Sequence, residues 1–424
     1  MPRPTMTIRG RTALAAGAAA RWASRVTGRG AGAMIGGLVA MTLDKSILDQ
    51  LGVGRRSVVI TGTNGKSTTT RMTAAALGTL GAVATNAEGA NMDAGLIAAL
   101  AGAPESPLAA LEVDEMHVPH VSDAVHPEVI VLLNLSRDQL DRVGEINHIE
   151  RTLRAGLARH PDALVVANCD DVLMTSAAYD CPNVVWVAAG AGWANDSVSC
   201  PRSGEVIVRD GSHWYSTGTD FKRPSPQWWF DDVNVYGPSG LELPMRLSLP
   251  GRVNRGNATQ AVAAAVALGA DPAAAVAAVS TVDEVAGRYQ TVPIGEHTAR
   301  ILLAKNPAGW QEALSMVDTT AAGVVIAVNG QVPDGEDLSW LWDVNFEHFG
   351  DERLAQRASG SAVPVVAAGE RGTDLAVRLG YASVPHTLVH NTIDAITSCP
   401  EGHVEVVANY TAFLQLSRTL GRMR

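Results

Sequence analysis

Val58-Val59-Ile60-Thr61-Gly62-Thr63-Asn64-Gly65-Lys66-Ser67-Thr68-Thr69-Thr70 decides how this chain is read. A β-branched run of strand character enters a glycine-bearing turn. The turn closes on Lys-Ser-Thr, and a helical pattern continues from Arg71 to Leu80. Gly62 and Gly65 let the backbone bend tightly and aim N–H groups at phosphate oxygens. The helix that follows presents its positive end to the same anion. Residues Thr63, Asn64, Gly65, Lys66, Ser67 and Thr68 are therefore the expected nucleotide-phosphate cradle. Lys66 can place its charge on the β- and γ-phosphates, and a hydroxyl from Ser67 or Thr68 can hold Mg²⁺. The spacing, Gly-x-x-Gly-Lys-Ser, is shorter than the common phosphate-loop pattern. A chance glycine turn is the bland reading, and the strand before with the helix after argues against it.

Outward from this loop, strand-like and helical runs alternate. Residues 58–61, 129–135 and 163–167 read as short buried strands, and 67–80 and 146–158 as helices. Such alternation predicts an α/β fold whose parallel sheet is covered on both faces, with the loop at the carboxyl end of a strand. Residues 197–232 break the pattern with Trp214, Trp228, Trp229 and prolines, as an inserted β-rich subdomain would. Helices are expected at 258–268 and 272–279. A second α/β region follows, with strands at 299–303, 323–328, 363–368 and 404–408. The expected organisation is a helical lead-in over 1–50, a central parallel-sheet ATPase domain over 51–290 with its insertion, and a smaller α/β domain over 291–424.

With 424 residues, 46% hydrophobic, the chain has ample material for packed cores. The net charge of −10 offers no basic footprint, so no nucleic-acid partner is expected. Cys169, Cys181, Cys200 and Cys399 lack metal or disulfide spacing, which suits a reducing compartment. Arg3, Arg9, Arg11 and Arg21 flank the small-residue run 12–20, a faint likeness to an export signal that an ATP-using protein has no need of. Residues 31–41 are apolar but too short to span a bilayer. A first helix packed on the core is the simpler reading, and contact with a membrane surface or lipid substrate is the alternative. A cytoplasmic location is expected, with the inner face of the membrane as the finer possibility.

Gly-Thr-Asn-Gly-Lys-Ser-Thr resembles the ATP loop of the Mur ligase family, which joins a carboxylate to an amine through an acyl-phosphate. Further stretches match in order: 111–115 (Leu-Glu-Val-Asp-Glu), 133–142 (Leu-Asn-Leu-Ser-Arg-Asp-Gln-Leu-Asp-Arg) and 251–258 (Gly-Arg-Val-Asn-Arg-Gly-Asn-Ala). The tail, at 304–310 and 337–347, resembles the MurT branch of that family. Members of that branch are ligase-like subunits of lipid II isoglutaminyl synthase, which work with a glutaminase subunit, GatD. Because the loop arrives at residue 62, the front nucleotide-sugar domain of the complete ligases is expected to be missing or vestigial here.

The resemblance assigns roles. Glu112 falls where the family places a magnesium-binding glutamate, beside Ser67; a solvated acidic turn of Glu112, Asp114 and Glu115 is the bland alternative. Strand alternation puts Glu112 and Asp114 on one face and Glu115 on the other. Gln139 stands where many relatives carry a metal-binding histidine, and no lysine lies between Lys66 and Lys222 to be carbamylated. Asn254 and Asn257 match the adenine-side asparagines, with helix capping as the alternative for Asn257. Arg288 and Lys305 match phosphate contacts brought from the C-terminal side, so ATP is expected between the central and C-terminal domains. Asn91 is a candidate substrate contact. MurT relatives can carry a four-cysteine zinc ribbon; here only Cys200 remains, near His213, so no zinc is expected and aromatic packing should hold the insertion. Asp343, or its rival Asp337, is implied to complete a Cys–His–Asp triad whose other members belong to the partner. His117, His120, His148 and His160 read as surface residues. No glutaminase nucleophile stands out in the chain itself, so ammonia implies a second subunit.

The expected activity is that of a carbon–nitrogen ligase with glutamine as amido donor. With ATP and Mg²⁺ it would amidate the D-glutamate α-carboxylate of lipid II's stem peptide in peptidoglycan synthesis. Its catalytic residues would be Lys66, Glu112 and Asp343, and its assembly a heterodimer with a GatD-like glutaminase. Two alternatives stand beside it: a ligase adding an amino acid to a soluble acid, and a nucleotide-binding regulator without turnover.

Overall fold

Short, apolar, β-branched runs determine the architecture, because such strands must be covered on both faces. The computed structural model describes residues 6–26, 33–86, 90–136, 143–191, 195–283, 289–318, 320–334, 337–349 and 363–423. Two compact units result: Met1–Ser136 with Gly144–Asp283, and Arg137–Val143 with Glu284–Arg424.

In the first unit, helices α1 (Ile8–Val26), α2 (Ala33–Leu43) and α3 (Ile47–Gly52) precede β1 (Arg56–Thr61) and α4 (Lys66–Leu77). Then come β2 (Val83–Thr85), α5 (Asp93–Gly102), β3 (Leu108–Glu112), β4 (Val129–Leu132), β5 (Leu164–Asn168) and β6 (Val184–Val187). The six strands form one parallel sheet in the order β2-β3-β1-β4-β5-β6. Every residue of β3 and β4, and all of β1 after Arg56, is buried. The sheet core takes in Val59, Leu111, Ile130 and Val165, and the lead-in helices add Ala13, Ala40 and Ile47 to it. The expected parallel sheet is present, with β2, β3 and β6 beyond the strands read from sequence.

The order matters for the site. β1 lies between β3 and β4, with Ile60 beside Glu112 and Thr61 beside Leu132. The loop leaving β1 is thus flanked by the loops leaving β3 and β4, at the carboxyl edge where open α/β sheets bind ligands. β4 ends at Leu132, short of the expected 135, which frees residues 133–136 as a loop. The helix expected from 258 begins earlier and spans Arg252–Ala267.

The β-rich segment runs past the expected 232: it forms a hairpin, β7 (Ile207–Asp210) with β8 (His213–Ser216), and a three-stranded antiparallel sheet of β9 (Trp229–Phe230), β10 (Asn234–Gly237) and β11 (Leu241–Pro244). Aromatic packing holds the hairpin, as the composition suggests. Trp214 and Phe221 have ring centroids 5.0 Å apart, and Cys200, Ile207 and Val172 complete the cluster. Trp214 Nε1 donates to the Cys169 carbonyl at 3.0 Å, so the buried indole keeps its hydrogen bond.

The second unit contains β12 (Tyr289–Ile294), β13 (His297–Leu303), β14 (Gly323–Ala327), β15 (Val365–Ala368), β16 (His386–Leu388) and β17 (Gly402–Ala408). Their order is β12-β13-β17-β14-β15-β16, parallel except for the β12–β13 hairpin. The helix Tyr410–Met423 packs Phe413 and Leu416 onto this sheet.

Candidate functional site

The loop after β1 takes its shape from its glycines. Gly62 has φ +145°, and a Cβ there would lie 2.8 Å from Leu133 Cβ. Gly65 has φ +83°, a left-handed conformation, and a Cβ there would meet Asn257 Oδ1 at 3.0 Å. Only glycine satisfies both demands at Gly65. α4 starts at the next residue, so its first-turn N–H groups point into the loop.

The loop after β4 braces this cradle. Asn134 Oδ1 accepts from Asn64 N–H at 2.9 Å, and Asn134 Nδ2 donates to the Asn64 carbonyl at 3.0 Å. Thr63 N–H donates to the Asn134 carbonyl at 2.9 Å. The Thr63 hydroxyl bonds the Ser136 backbone in both directions, at 3.0 and 3.1 Å. Gln260 Nε2, from the helix Arg252–Ala267, donates to the Leu132 carbonyl at 2.9 Å. Asn134 and Gln260 are supporting residues to which the sequence reading gave no role.

Lys66 is buried and turned back over the loop. Its Nζ donates to the Gly62 carbonyl at 2.5 Å and to the Thr63 carbonyl at 3.3 Å. It also pairs with Glu115 at 3.4 Å. The strand-alternation expectation for the acidic triplet is thereby corrected. β3 ends at Glu112, and the turn beyond it carries Glu115, not Asp114, to the lysine. Asp114 instead accepts from Met116 N–H and stays in its own turn.

Glu112 is almost wholly buried. Its backbone is clamped by Asn86, which accepts from Glu112 N–H and donates to the Glu112 carbonyl, both at 2.8 Å. Glu112 Oε1 receives Asn91 Nδ2 at 3.4 Å, while Oε2 is buried without a partner among the described residues. Asn91, expected as a substrate contact, thus touches this carboxylate. An orphaned carboxylate oxygen on the strand beside a phosphate-type loop is the donor a hard cation takes, and the Ser67 hydroxyl on the first turn of α4 is of the same type. The donor set therefore fits magnesium and nucleotide phosphates.

Asn254 and Asn257 do not cap their helix, whose N-cap is Gly251. Both are buried within it. Asn254 Nδ2 donates to the Pro250 carbonyl at 2.6 Å, and Asn257 Nδ2 approaches Asn254 Oδ1 at 3.5 Å. The contact between Asn257 and Gly65 sets this pair against the phosphate loop.

His117 and His120 converge on Asp93, at 3.5 and 2.7 Å, tying the first turn of α5 to the segment after Glu115. His160 pairs with Asp123 at 2.9 Å. These histidines thus contact carboxylates as well as lying near the surface. Asp171 caps the helix Val172–Ala178 through Met174 N–H and also receives Leu135 N–H at 3.0 Å, anchoring the loop after β4. Burial pushes its carboxyl up to about 6 against those hydrogen bonds.

The remaining expected residues belong to the second unit. Lys305 is exposed, with its Nζ over the Tyr410 ring at 5.2 Å. Arg288 and Gln139 lie outside the described residues. Asp337 and Asp343 behave differently. Asp337 accepts from Ser339 N–H at 2.8 Å and from its hydroxyl at 3.1 Å, opening the short helix Ser339–Trp342. Asp343 ends that helix, and its Oδ2 is buried without a partner among the described residues. Arg378 braces the segment, donating to the Leu341 and Val344 carbonyls at 3.1 and 2.8 Å and pairing with Glu347 at 3.0 Å. Trp310 stacks on Trp340 beneath it.

Comparison with known proteins agrees with this geometry. The Mur ligase middle domain matches residues 60–265, and the MurT ligase C-terminal domain matches 303–413. The lipid II isoglutaminyl synthase (glutamine-hydrolyzing) subunit MurT of Streptococcus pneumoniae (strain ATCC BAA-255 / R6) is 28% identical over 92% of this chain and 93% of its own length. The same subunit of Staphylococcus aureus (strain COL) is 28% identical over 95% and 96%. Among solved structures, a pseudomurein peptide ligase type C from Methanothermus fervidus superposes with TM-score 0.65 at 18% identity, covering 87% of this chain and 79% of that one. MurF from Acinetobacter baumannii gives 0.65 at 17% identity, covering 90% and 79%. At such identities these two speak for the fold.

Proposed function

We propose that this chain, which belongs to the Mur ligase family and to its MurT branch, is the ATP-dependent synthetase subunit of a lipid II isoglutaminyl synthase. The observation that carries the reading is a braced phosphate-type loop, with Lys66 at the start of α4 after β1 and Glu112 at the end of the neighbouring β3, in a chain whose second unit is of the MurT type.

In this reading the D-glutamate α-carboxylate of the stem peptide attacks the γ-phosphorus of ATP. The bond from the γ-phosphorus to the bridging oxygen breaks, and that oxygen leaves with its electron pair as part of ADP. Ammonia then attacks the acyl carbon, inorganic phosphate departs and the nitrogen sheds a proton, giving D-isoglutamine. Lys66 exchanges its carbonyl contacts for phosphate oxygens, with Glu115 keeping its charge partly compensated. The first-turn N–H groups of α4 hold the phosphates, and the Asn134 clamp keeps the loop in shape beforehand. Glu112 and Ser67 would hold Mg²⁺, which when bound neutralises developing charge on the transferred phosphoryl group. Asn254 and Asn257 would line the nucleotide, and Arg288 and Lys305 stand where the resemblance implies phosphate contacts. Asp343 would offer its unpartnered oxygen to a histidine of a glutaminase partner, holding the imidazole that activates the partner's cysteine. Asp337 is already committed to its own turn. A lipid-linked substrate would bring the reaction to the inner face of the membrane.

The test is amidation of lipid II, followed by mass spectrometry, with ATP, Mg²⁺ and either glutamine plus the neighbouring glutaminase or free ammonia. Asp343→Asn should abolish the glutamine-driven reaction, by about 10⁴-fold if the triad role holds, and leave the ammonia-driven one intact. Lys66→Ala should abolish both. No conversion with either nitrogen source would overturn the assignment.

A further inference from the structure

The lead-in hairpin carries a surface that the ATP chemistry does not use. The first 43 residues contain six arginines and no acidic residue, in a chain whose net charge is −10. Within α1, Ile8, Arg11, Trp22, Arg25 and Val26 are exposed. Trp22 is 67% exposed. α2 has no charged residue at all, and Thr42 is its only polar side chain. A helix apolar all round belongs in a core or in contact with lipid, yet α2 leaves Met34, Ile35, Leu38 and Leu43 exposed, Leu38 by 48%.

The hairpin is firmly seated, so this surface is a fixed feature. α1 and α2 run antiparallel: Arg9 Nε donates to the Leu43 carbonyl at 2.8 Å, and a Cβ on Gly17 would lie 2.5 Å from the Gly36 carbonyl oxygen. Gly37 packs as closely on Ala94 of α5. With α1, α2 and α5 wedged together through small residues, Trp22 and Val26 gather at the same end as Met34 and Ile35. A cavity of ≈ 300 Å³ opens between the three helices, lined by Leu14, Ala18, Gly37, Ile97 and Ala101, with Arg21 beside them. No described helix is long and apolar enough to cross a membrane.

We propose that the α1–α2 hairpin docks this protein onto an anionic lipid bilayer, lying in the interface with Trp22, Met34, Ile35 and Leu38 in the acyl boundary and its arginines on lipid phosphates. Charge complementarity selects this occupant: arginine and tryptophan flanking an apolar face without acids is the composition of an interfacial helix, and an acidic protein needs a local positive element to approach an anionic surface. The inference deepens the reading of a lipid-linked substrate and rests on it for its purpose, since docking would hold the site at the height of the substrate headgroup. The physical observation stands on the hairpin alone.

The experiment sediments the full-length chain with vesicles of phosphatidylcholine, with and without phosphatidylglycerol, at low and high salt. Wild type should bind the anionic vesicles, bind the neutral ones at least about tenfold more weakly, and lose affinity with salt. Trp22→Ser with Leu38→Ser, and separately Arg11→Gln with Arg25→Gln, should each reduce binding by about tenfold or more at an unchanged circular-dichroism melting curve. No vesicle binding overturns the proposal, as does binding that both variants retain. If the variants change only the mass of the protein or of its complex with the glutaminase, the patch is a protein interface and the proposal also falls. Amidation separates this outcome from the functional reading. The variants should slow amidation of vesicle-borne lipid II and spare a water-soluble short-chain analogue. Amidation without docking refutes the inference alone, and docking without amidation refutes the functional reading alone.

Discussion

Replacing Glu112 by glutamine should stabilise the ligand-free protein while removing the magnesium-dependent part of its stabilisation by ATP. The side chain is 2% exposed, receives one long hydrogen bond at 3.4 Å and has an oxygen with no partner. Leaving a buried polar atom unsatisfied costs about 1–3 kcal/mol, and more when the group is charged. Glutamine has the same shape and can keep the Asn91 bond, but its amide NH₂ is then the unmatched group. The gain is the difference between an ion and an amide in the same place, about 1–2 kcal/mol. For a unit of this size that is a rise in melting temperature of roughly 2–8 °C. The ligand effect has the opposite sign. ATP and magnesium at about a hundred times their dissociation constant stabilise wild type by about 2.7 kcal/mol, and the variant should forfeit most of the increment that magnesium adds to ATP alone. Thermal unfolding of the first unit, scanned for both proteins in chelator, in ATP and in ATP with magnesium, reads both effects. The reasoning is refuted if the variant melts below wild type in chelator, or if magnesium adds the same increment to each.

Other residues of the site make separate expectations. Asn134→Ala removes both side-chain bonds that clamp Asn64, at roughly 1 kcal/mol each, and should weaken ATP binding in calorimetry about tenfold or more. Gly65→Ala forces a Cβ into a left-handed conformation, at about 1–2 kcal/mol, against Asn257; ATP binding should suffer more than the melting temperature. Asp171 supplies a pH dependence. Its carboxyl is pushed up to about 6 in the folded chain by burial, against an ordinary value of 3.8. Between those values the folded state holds a proton that the unfolded state has released. Its contribution to stability is therefore full below about pH 4 and is lost as pH rises through about 6, by roughly 3 kcal/mol. Urea unfolding across this range should show that slope in wild type relative to Asp171→Asn, and a difference independent of pH would contradict it. Trp214→Ala should cost about 3–5 kcal/mol, through lost packing on Phe221 and the lost bond to Cys169, read as an early transition in urea.

The phosphate loop was legible in the sequence because its constraints are local. A glycine at φ +83° next to a lysine at a helix start is a property of neighbouring residues. Central strands such as β4 were legible because all-buried parallel strands are continuous apolar runs. β2, with three residues, offers no periodicity to detect. Tertiary partners were not readable. Arg378 looks like any basic residue of an amphipathic helix, and only the fold carries it to carbonyls 34 and 37 positions earlier in the chain. Gln260 reaches across 128 positions to the Leu132 carbonyl in the same way.

The acidic residues show where sequence reasoning turns on a single local fact. Alternation assigned Asp114 to the face of Glu112, and that inference holds only while the strand continues. The strand stops at Glu112, where Asn86 takes up its N–H and carbonyl, and Val113 N–H adds one more bond to the Ile60 carbonyl of β1. From there the chain turns, and Glu115 reaches Lys66. The same logic separates Asp337 from Asp343, and there the clue was in the sequence. Asp337 is followed two residues later by Ser339, the spacing with which an aspartate bonds the backbone N–H ahead of it. An acid consumed by its own turn has little left to offer a second protein. Asp343, at the other end of the same short helix, has no such taker, and Arg378 holds the flanking carbonyls in place around it. Of the two acids in one motif, the one that the local backbone does not use is the one we propose to serve another chain.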